Sequence, residues 1–206
     1  MVEKVKLGLW DFFTYILSGT AVLLSVIIHC MLVKCVPVDI LFEKIIAPIW
    51  VVLALLAILL VGLLLEPIAN LIFKLPSVFK RGLKEFEFKE WDNQIKNLEN
   101  KSKEFIDKDL YQSVYQYTKN WILKNGDTGQ FDSFLGKYGF YRNLFTIFLF
   151  NAIACFFLYS NCIVIIILLL LAILYLHRSR VFYRHMATTV YTQFLVSRSN
   201  KLQSPE

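Results

Sequence analysis

Three blocks of apolar residues dominate the chain, and its polar residues collect between and after them. Phe12 to Val33 runs 22 residues without Asp, Glu, Lys or Arg, and Ile45 to Leu65 another 21. As helices they measure roughly 32 Å each, matching a hydrocarbon core of about 30 Å. Leu144 to Leu176 holds 33 residues without a charge. As a single helix that block would be about 50 Å long, too long for one crossing without extreme tilt. Tyr159-Ser160-Asn161 places a polar turn in its middle. The pattern therefore predicts two short spans in a tight hairpin and four crossings in all, with one long tilted helix as the alternative.

Between the blocks the period changes. Trp91, Ile95 and Leu98 recur at i, i+4, i+7 and predict an amphipathic helix. A second is predicted from Phe105 or Ile106 through Leu110, Val114, Tyr117 and Trp121, capped by Ser102 and ended by Asn125-Gly126. NGDTGQ then reads as a loop, and FDSFLGKYGFYRN as an aromatic interfacial lead into the third span. Two such helices make a thin core. Their apolar faces must meet each other, the membrane surface or a second copy. From Phe140 to Ser204 there is no Gly or Pro, so the fourth span is expected to continue unbroken into VFYRHMATTVYTQFL. Tyr183, Ala187, Val190 and Phe194 share a face there.

The expected fold class is all-α: an integral membrane protein with four transmembrane helices and a small cytoplasmic helical domain. Its parts are an N-terminal transmembrane hairpin (1–76), a cytoplasmic amphipathic region (77–139), a C-terminal transmembrane hairpin (140–177) and a cytoplasmic helical tail (178–206).

Composition agrees: 57% of residues are hydrophobic and 18% charged, against about a quarter charged in soluble domains. Charge sets an expected orientation. Lys4, Lys6, the basic residues from Lys74 to Arg142 and those from Arg178 onward would lie on one side, leaving only Lys34 and Lys44 on the other. That asymmetry puts both termini and the middle region in the cytoplasm. The net charge of +6 favours anionic lipid headgroups or an acidic partner. Acidic residues interleave with the central basic ones, so direct nucleic-acid binding is not expected.

The first apolar block is too long for a secretory signal and lacks an A-x-A exit, so it reads as an uncleaved anchor. LVKC (Leu32 to Cys35) loosely suggests a lipoprotein cleavage site, but Lys34 directly before the cysteine argues against it. The four cysteines form no CxxC. Free thiols are expected, although a Cys35–Cys162 bridge is sterically open. Neither a metal site nor a cofactor is expected.

Candidate sites are few. Asp11, Glu66, Arg142 and Arg178 fall at the ends of the four spans and, in this topology, share one layer near the inner interface. Glu66 can pair there with Arg142 or Arg178, or these charges can snorkel to headgroups. Asn151, midway along the third span, is expected to make an interhelical hydrogen bond. His29 is expected to be a satisfied packing residue. Tyr111, Tyr115, Tyr117 and Trp121 offer a base-stacking set, with packing as the plainer role. P-loop, nucleophile-elbow, zinc-helix and dinucleotide signatures are absent, so no catalytic residue is assigned. The one alternative is Arg180 and His185, whose R-x-x-x-x-H spacing matches that of small helical ribonucleases of the HEPN superfamily. Val181 follows Arg180 where that superfamily usually has a polar residue.

LWDFFTYILSG (Leu9 to Gly19), KYGFYRN (Lys137 to Asn143) and RSRVFYRHMATTVYTQF (Arg178 to Phe194) together resemble small four-span membrane proteins of bacterial antiphage loci. The layout is similar to the membrane accessory of type VI-B CRISPR loci and to the membrane subunit of the Kiwa system. The resemblance implies a defence role, as a multi-pass, lipid-contacting protein of the bacterial inner membrane that acts with a cytosolic effector or sensor when phage infects. The thin amphipathic cytoplasmic region, suited to association, and spans without a transport site add the expectation that the protein oligomerises and either alters the membrane, as by a pore, or holds its partner there. An ion channel or small-solute transporter, with Glu66 and Asn151 facing a water-filled path, and a membrane-tethered ribonuclease using Arg180 and His185 are the competing expectations.

Overall fold

The computed structural model describes residues 9–32, 48–74, 88–106, 113–125, 129–158 and 161–203. These residues form six helices and no strand: α1 (Leu9–Leu32), α2 (Pro48–Lys74), α3 (Lys89–Lys103), α4 (Val114–Asn125), α5 (Gly129–Leu158) and α6 (Cys162–Gln203). The fold class is all-α, and α1, α2, α5 and α6 are long and apolar enough to cross a membrane. The uncharged block from Leu144 is divided as its polar centre predicts, with α5 ending at Leu158 and α6 starting at Cys162.

Several boundaries differ from expectation. α2 does not stop at Leu65 but carries on through Glu66 and Pro67 to Lys74. Pro67 supplies no N–H to the helix ladder, yet the apolar run up to Phe73 keeps the segment helical. Ser102 caps nothing. It is buried near the end of α3, and its hydroxyl donates to the Leu98 carbonyl at 2.8 Å. That helix tightens into i→i+3 bonds, with Phe105 N–H donating to the Ser102 carbonyl at 3.2 Å. Phe105 and Ile106 thus lie in the turn after α3 rather than on a second helix, and Leu110 lies outside the described residues. Gly129 and Gln130, expected in a loop, open α5.

The chain divides into two compact units: residues 1–75 with 136–179, and residues 76–135 with 180–206. In the first unit large apolar side chains face outward, among them Leu64, Leu71, Phe157 and Ile163, while Thr14, Ser18, Asn143 and Thr146 are buried. Such an arrangement is the inverse of a water-soluble bundle and suits an apolar solvent. α1 and α2 cross with their backbones in contact. A β-carbon added at Gly19 would lie 1.9 Å from the Ile58 carbonyl oxygen, and one at Gly62 only 2.1 Å from that of Tyr15. The pairings Gly19–Ile58 and Tyr15–Gly62 make the two helices antiparallel. Phe145, Ala172 and Leu176 form a second contact, packed on Ile72 and Phe73 of α2.

The second unit is built on the distal part of α6. Met186, Val190 and Phe194 join Ile122 of α4 and Phe131 of α5 in its core. The apolar face of α4 is therefore covered by the C-terminal helix of the same chain. Ala187, Val190 and Phe194 are buried as their spacing predicts, whereas Tyr183 is 47% exposed. Trp91 of α3 donates its indole N–H to Thr188 Oγ1 at 3.0 Å, and Trp121 packs edge-on against Phe194 at 5.4 Å.

Candidate functional site: a polar seam among the apolar helices

Helical spacing on α1 places Thr14, Ser18, Ser25 and His29 along one stripe. The two serine hydroxyls satisfy themselves locally: Ser18 donates to the Thr14 carbonyl at 2.6 Å and Ser25 to that of Ala21 at 2.9 Å. This back-bonding lets a hydroxyl sit in an apolar setting without water. A matching stripe on α5 faces them. Thr14 donates to the Gly136 carbonyl at 3.2 Å, and Asn151 Nδ2 donates to Ser25 Oγ at 3.1 Å. Partner numbers rise together on the two helices, so α1 and α5 run parallel.

The Asn151 amide is fully specified by its neighbours. Its Nδ2 also donates to the Ile147 carbonyl at 2.8 Å, an acceptor that cannot donate, so Oδ1 must face His29. His29 Nε2 stands 2.9 Å from that oxygen and is the protonated ring nitrogen. The two intramembrane polar residues singled out by sequence are thus partners, and Ser25 completes the group.

At the other end of the seam, Gly62, Glu66 and Asn70 occupy successive turns of α2. The close crossing at Gly62 brings Tyr15 to Glu66, where its phenol donates to Oε2 at 2.6 Å. Arg142 of α5 reaches the same carboxylate, Nη2 to Oε1 at 3.6 Å, and donates through Nη1 to Asn70 Oδ1. Its guanidinium also lies over the Tyr138 ring, 5.4 Å from the centroid. Arg142 is buried and Glu66 keeps 38% of its side chain exposed. The pair is therefore set at an edge, with the cation inward and the anion outward. Of the four-charge layer, Glu66 and Arg142 meet. Arg178 is exposed, and the Asp11 side chain lies outside the described residues.

Tyr15, Asn70, Ser18 and Asn143 belong to the seam but were not singled out by sequence. The usable signal was the small and polar stripe on α1 together with the four-residue spacing of Gly62, Glu66 and Asn70. Periodicity names a face but not the partner that covers it.

The chain matches no protein-family model, no curated protein and no solved structure.

Arg180 and His185 have different surroundings. The His185 ring stacks on Phe134 at 5.2 Å and meets the edge of Trp91 at 4.6 Å. Arg180 instead lines a cavity between α3 and α6. Of the aromatic set on the second amphipathic segment, Tyr117 and Trp121 pack on Phe194, Tyr115 reaches the cavity, and Tyr111 lies outside the described residues. Cys30 and Cys155 are free thiols, and Cys35 lies outside the described residues.

Proposed function

We propose that this chain is a non-enzymatic, oligomeric inner-membrane protein of bacterial antiviral defence that holds a cytosolic sensor or effector at the membrane. The observation that supports the reading is the seam, where Tyr15, Glu66, Arg142 and Asn70 form one linked group and His29, Asn151 and Ser25 another. Groups engaged in this way lock helices together. The antiviral role rests on the likeness of the three quoted segments to small membrane proteins of antiphage loci, and the cytoplasmic side on the asymmetry of basic residues. In this reading the second unit, with charged outer faces on α3, is the portion that meets the partner.

Phage plating on a bacterial host provides the test. A host carrying the chain with the genes encoded beside it is expected to lower plating efficiency, and omitting the chain to restore it. Light scattering in detergent is expected to give more than one copy per particle. A strict monomer that gives no protection and binds none of the neighbouring gene products would sink the proposal.

A second reading, ion conduction, is favoured by the partial exposure of Glu66 beside a buried cation. It requires ion flux in liposomes that Glu66→Gln abolishes, a result the first reading does not expect.

A further inference from the structure

Arg178 is the first arginine or lysine after Arg142, and in the first unit the two cations have opposite surroundings. Arg142 is buried and paired with Glu66. Arg178 is exposed and meets no carboxylate among the described residues. A guanidinium at the end of an apolar helix is well placed for an anion at the membrane surface.

What lies along the helix before it names the anion. Val164, Ile167, Leu171, Leu174 and Arg178 follow one another on α6 at steps of three or four and so share a face. Ala172 and Leu176 point away from that face and are buried. Ile167 and Leu174, by contrast, keep half of their surface exposed. From Leu174 to Val164 the stripe is roughly 15 Å long, the depth of one leaflet in a hydrocarbon core of about 30 Å. An acyl chain can lie along it with its headgroup at Arg178.

Tyr175 stands one turn before Arg178, beside the stripe. Its ring stacks on Phe148 at 5.2 Å and on Tyr141 at 6.0 Å. These ring contacts hold the side chain and leave its hydroxyl to donate. Guanidinium and phenol together offer N–H and O–H donors to phosphate oxygens, and phosphate is an anion that guanidinium recognises well. A headgroup that also carries choline would bring a second cation toward Arg178, so a net anionic headgroup fits better. A water-soluble phosphate or an acidic peptide would leave the apolar stripe unused.

We propose that this face of α6 is a binding site for an anionic phospholipid, with the phosphate on Arg178 and Tyr175 and one acyl chain along Leu174, Leu171 and Ile167. The site is independent of the partner-docking role, since it rests on side chains of the first unit alone. The test is native mass spectrometry of the full chain in neutral detergent, titrated with phosphatidylglycerol or phosphatidylcholine and challenged with glycerol 3-phosphate. Phosphatidylglycerol is expected to bind about fivefold or more tightly than phosphatidylcholine, and equimolar glycerol 3-phosphate not to displace it. Arg178→Gln is expected to remove most of that preference, while Lys96→Gln, at an exposed cation of the second unit, leaves it intact. Because Arg178 is exposed, the melting temperature of the lipid-free variant is expected to match that of the parent chain. The comparison of lipids and the challenge with glycerol 3-phosphate need no variant, so the proposal stays testable even if Arg178→Gln misfolds. Four results overturn it: equal binding of the two lipids, a preference indifferent to Arg178→Gln, an equal loss on Lys96→Gln, or displacement by equimolar glycerol 3-phosphate.

Discussion

Asn151 ties α5 to α1 at two points, because its one amide contacts both Ser25 and His29 as well as a backbone carbonyl of its own helix. Interhelical hydrogen bonds in apolar surroundings average about 0.6 kcal/mol and reach about 1.7. Asn151→Leu removes two of them and is expected to destabilise by about 1–3 kcal/mol, read from unfolding in detergent. Glu66→Gln preserves an acceptor for Tyr15 but leaves the buried Arg142 without its counter-charge. The half-exposed carboxylate places this loss between that of a surface pair and a buried one, at about 1–3 kcal/mol. His185, packed on Phe134 and Trp91, gives a further check. Alanine at Arg180 and at His185 is expected to leave cellular RNA intact or cleaved to the same extent as the parent chain. RNA cleavage that disappears in both variants would establish the nuclease alternative. Sequence reading reached Glu66, Arg142, His29 and Asn151 because a polar group in an apolar run stands out by its cost. It passed over Tyr15 and Ser18, whose residue types are ordinary in such helices.

Among the helices, the α1–α2 crossing depends on two residues with no side chain. At Gly19 even a methyl group would collide with a backbone carbonyl, an atom that cannot swing aside, whereas a β-carbon at Gly139 would meet only Thr14 Cγ2 at 3.8 Å. Gly19→Ala is therefore expected to separate the helices and destabilise by about 1–3 kcal/mol or more. Gly139→Ala is expected to be neutral or slightly favourable, as the better helix former. The two variants, compared by thermal unfolding in one detergent, isolate the crossing from general helix propensity. Equal behaviour would show that the contact does not hold the pair. The apolar lengths of these helices were legible, as was the break near Ser160. The continuation of α2 past Pro67 was not, since a proline usually marks a boundary and here local packing prevails. Ser102 misled for a related reason: a serine bonding back to the i−4 carbonyl and a serine capping a helix look identical in one dimension.

Across the whole molecule, the distal part of α6 supplies the centre of the second unit, including Val190 and Phe194, both fully buried. Phe194→Ala is expected to cost about 3–5 kcal/mol. Limited proteolysis should then cut within α3 or α4 first, leaving the apolar helices protected; a cleavage pattern unchanged from the parent chain would contradict this role for α6. The sequence by itself determined the class of solvent and the number of long apolar helices, because apolar length and composition are additive along a chain and need no partner. It also determined that the C-terminal helix continues without a break, since nothing in it interrupts helical bonding. Tertiary structure alone decided which faces meet: that Glu66 takes Arg142, that His29 takes Asn151, that α4 is covered by the tail of its own chain, and that α3 and α6 leave a charged cavity between them. Those choices depend on which side chains fit within a few ångströms, and periodicity carries no information about distance across a fold.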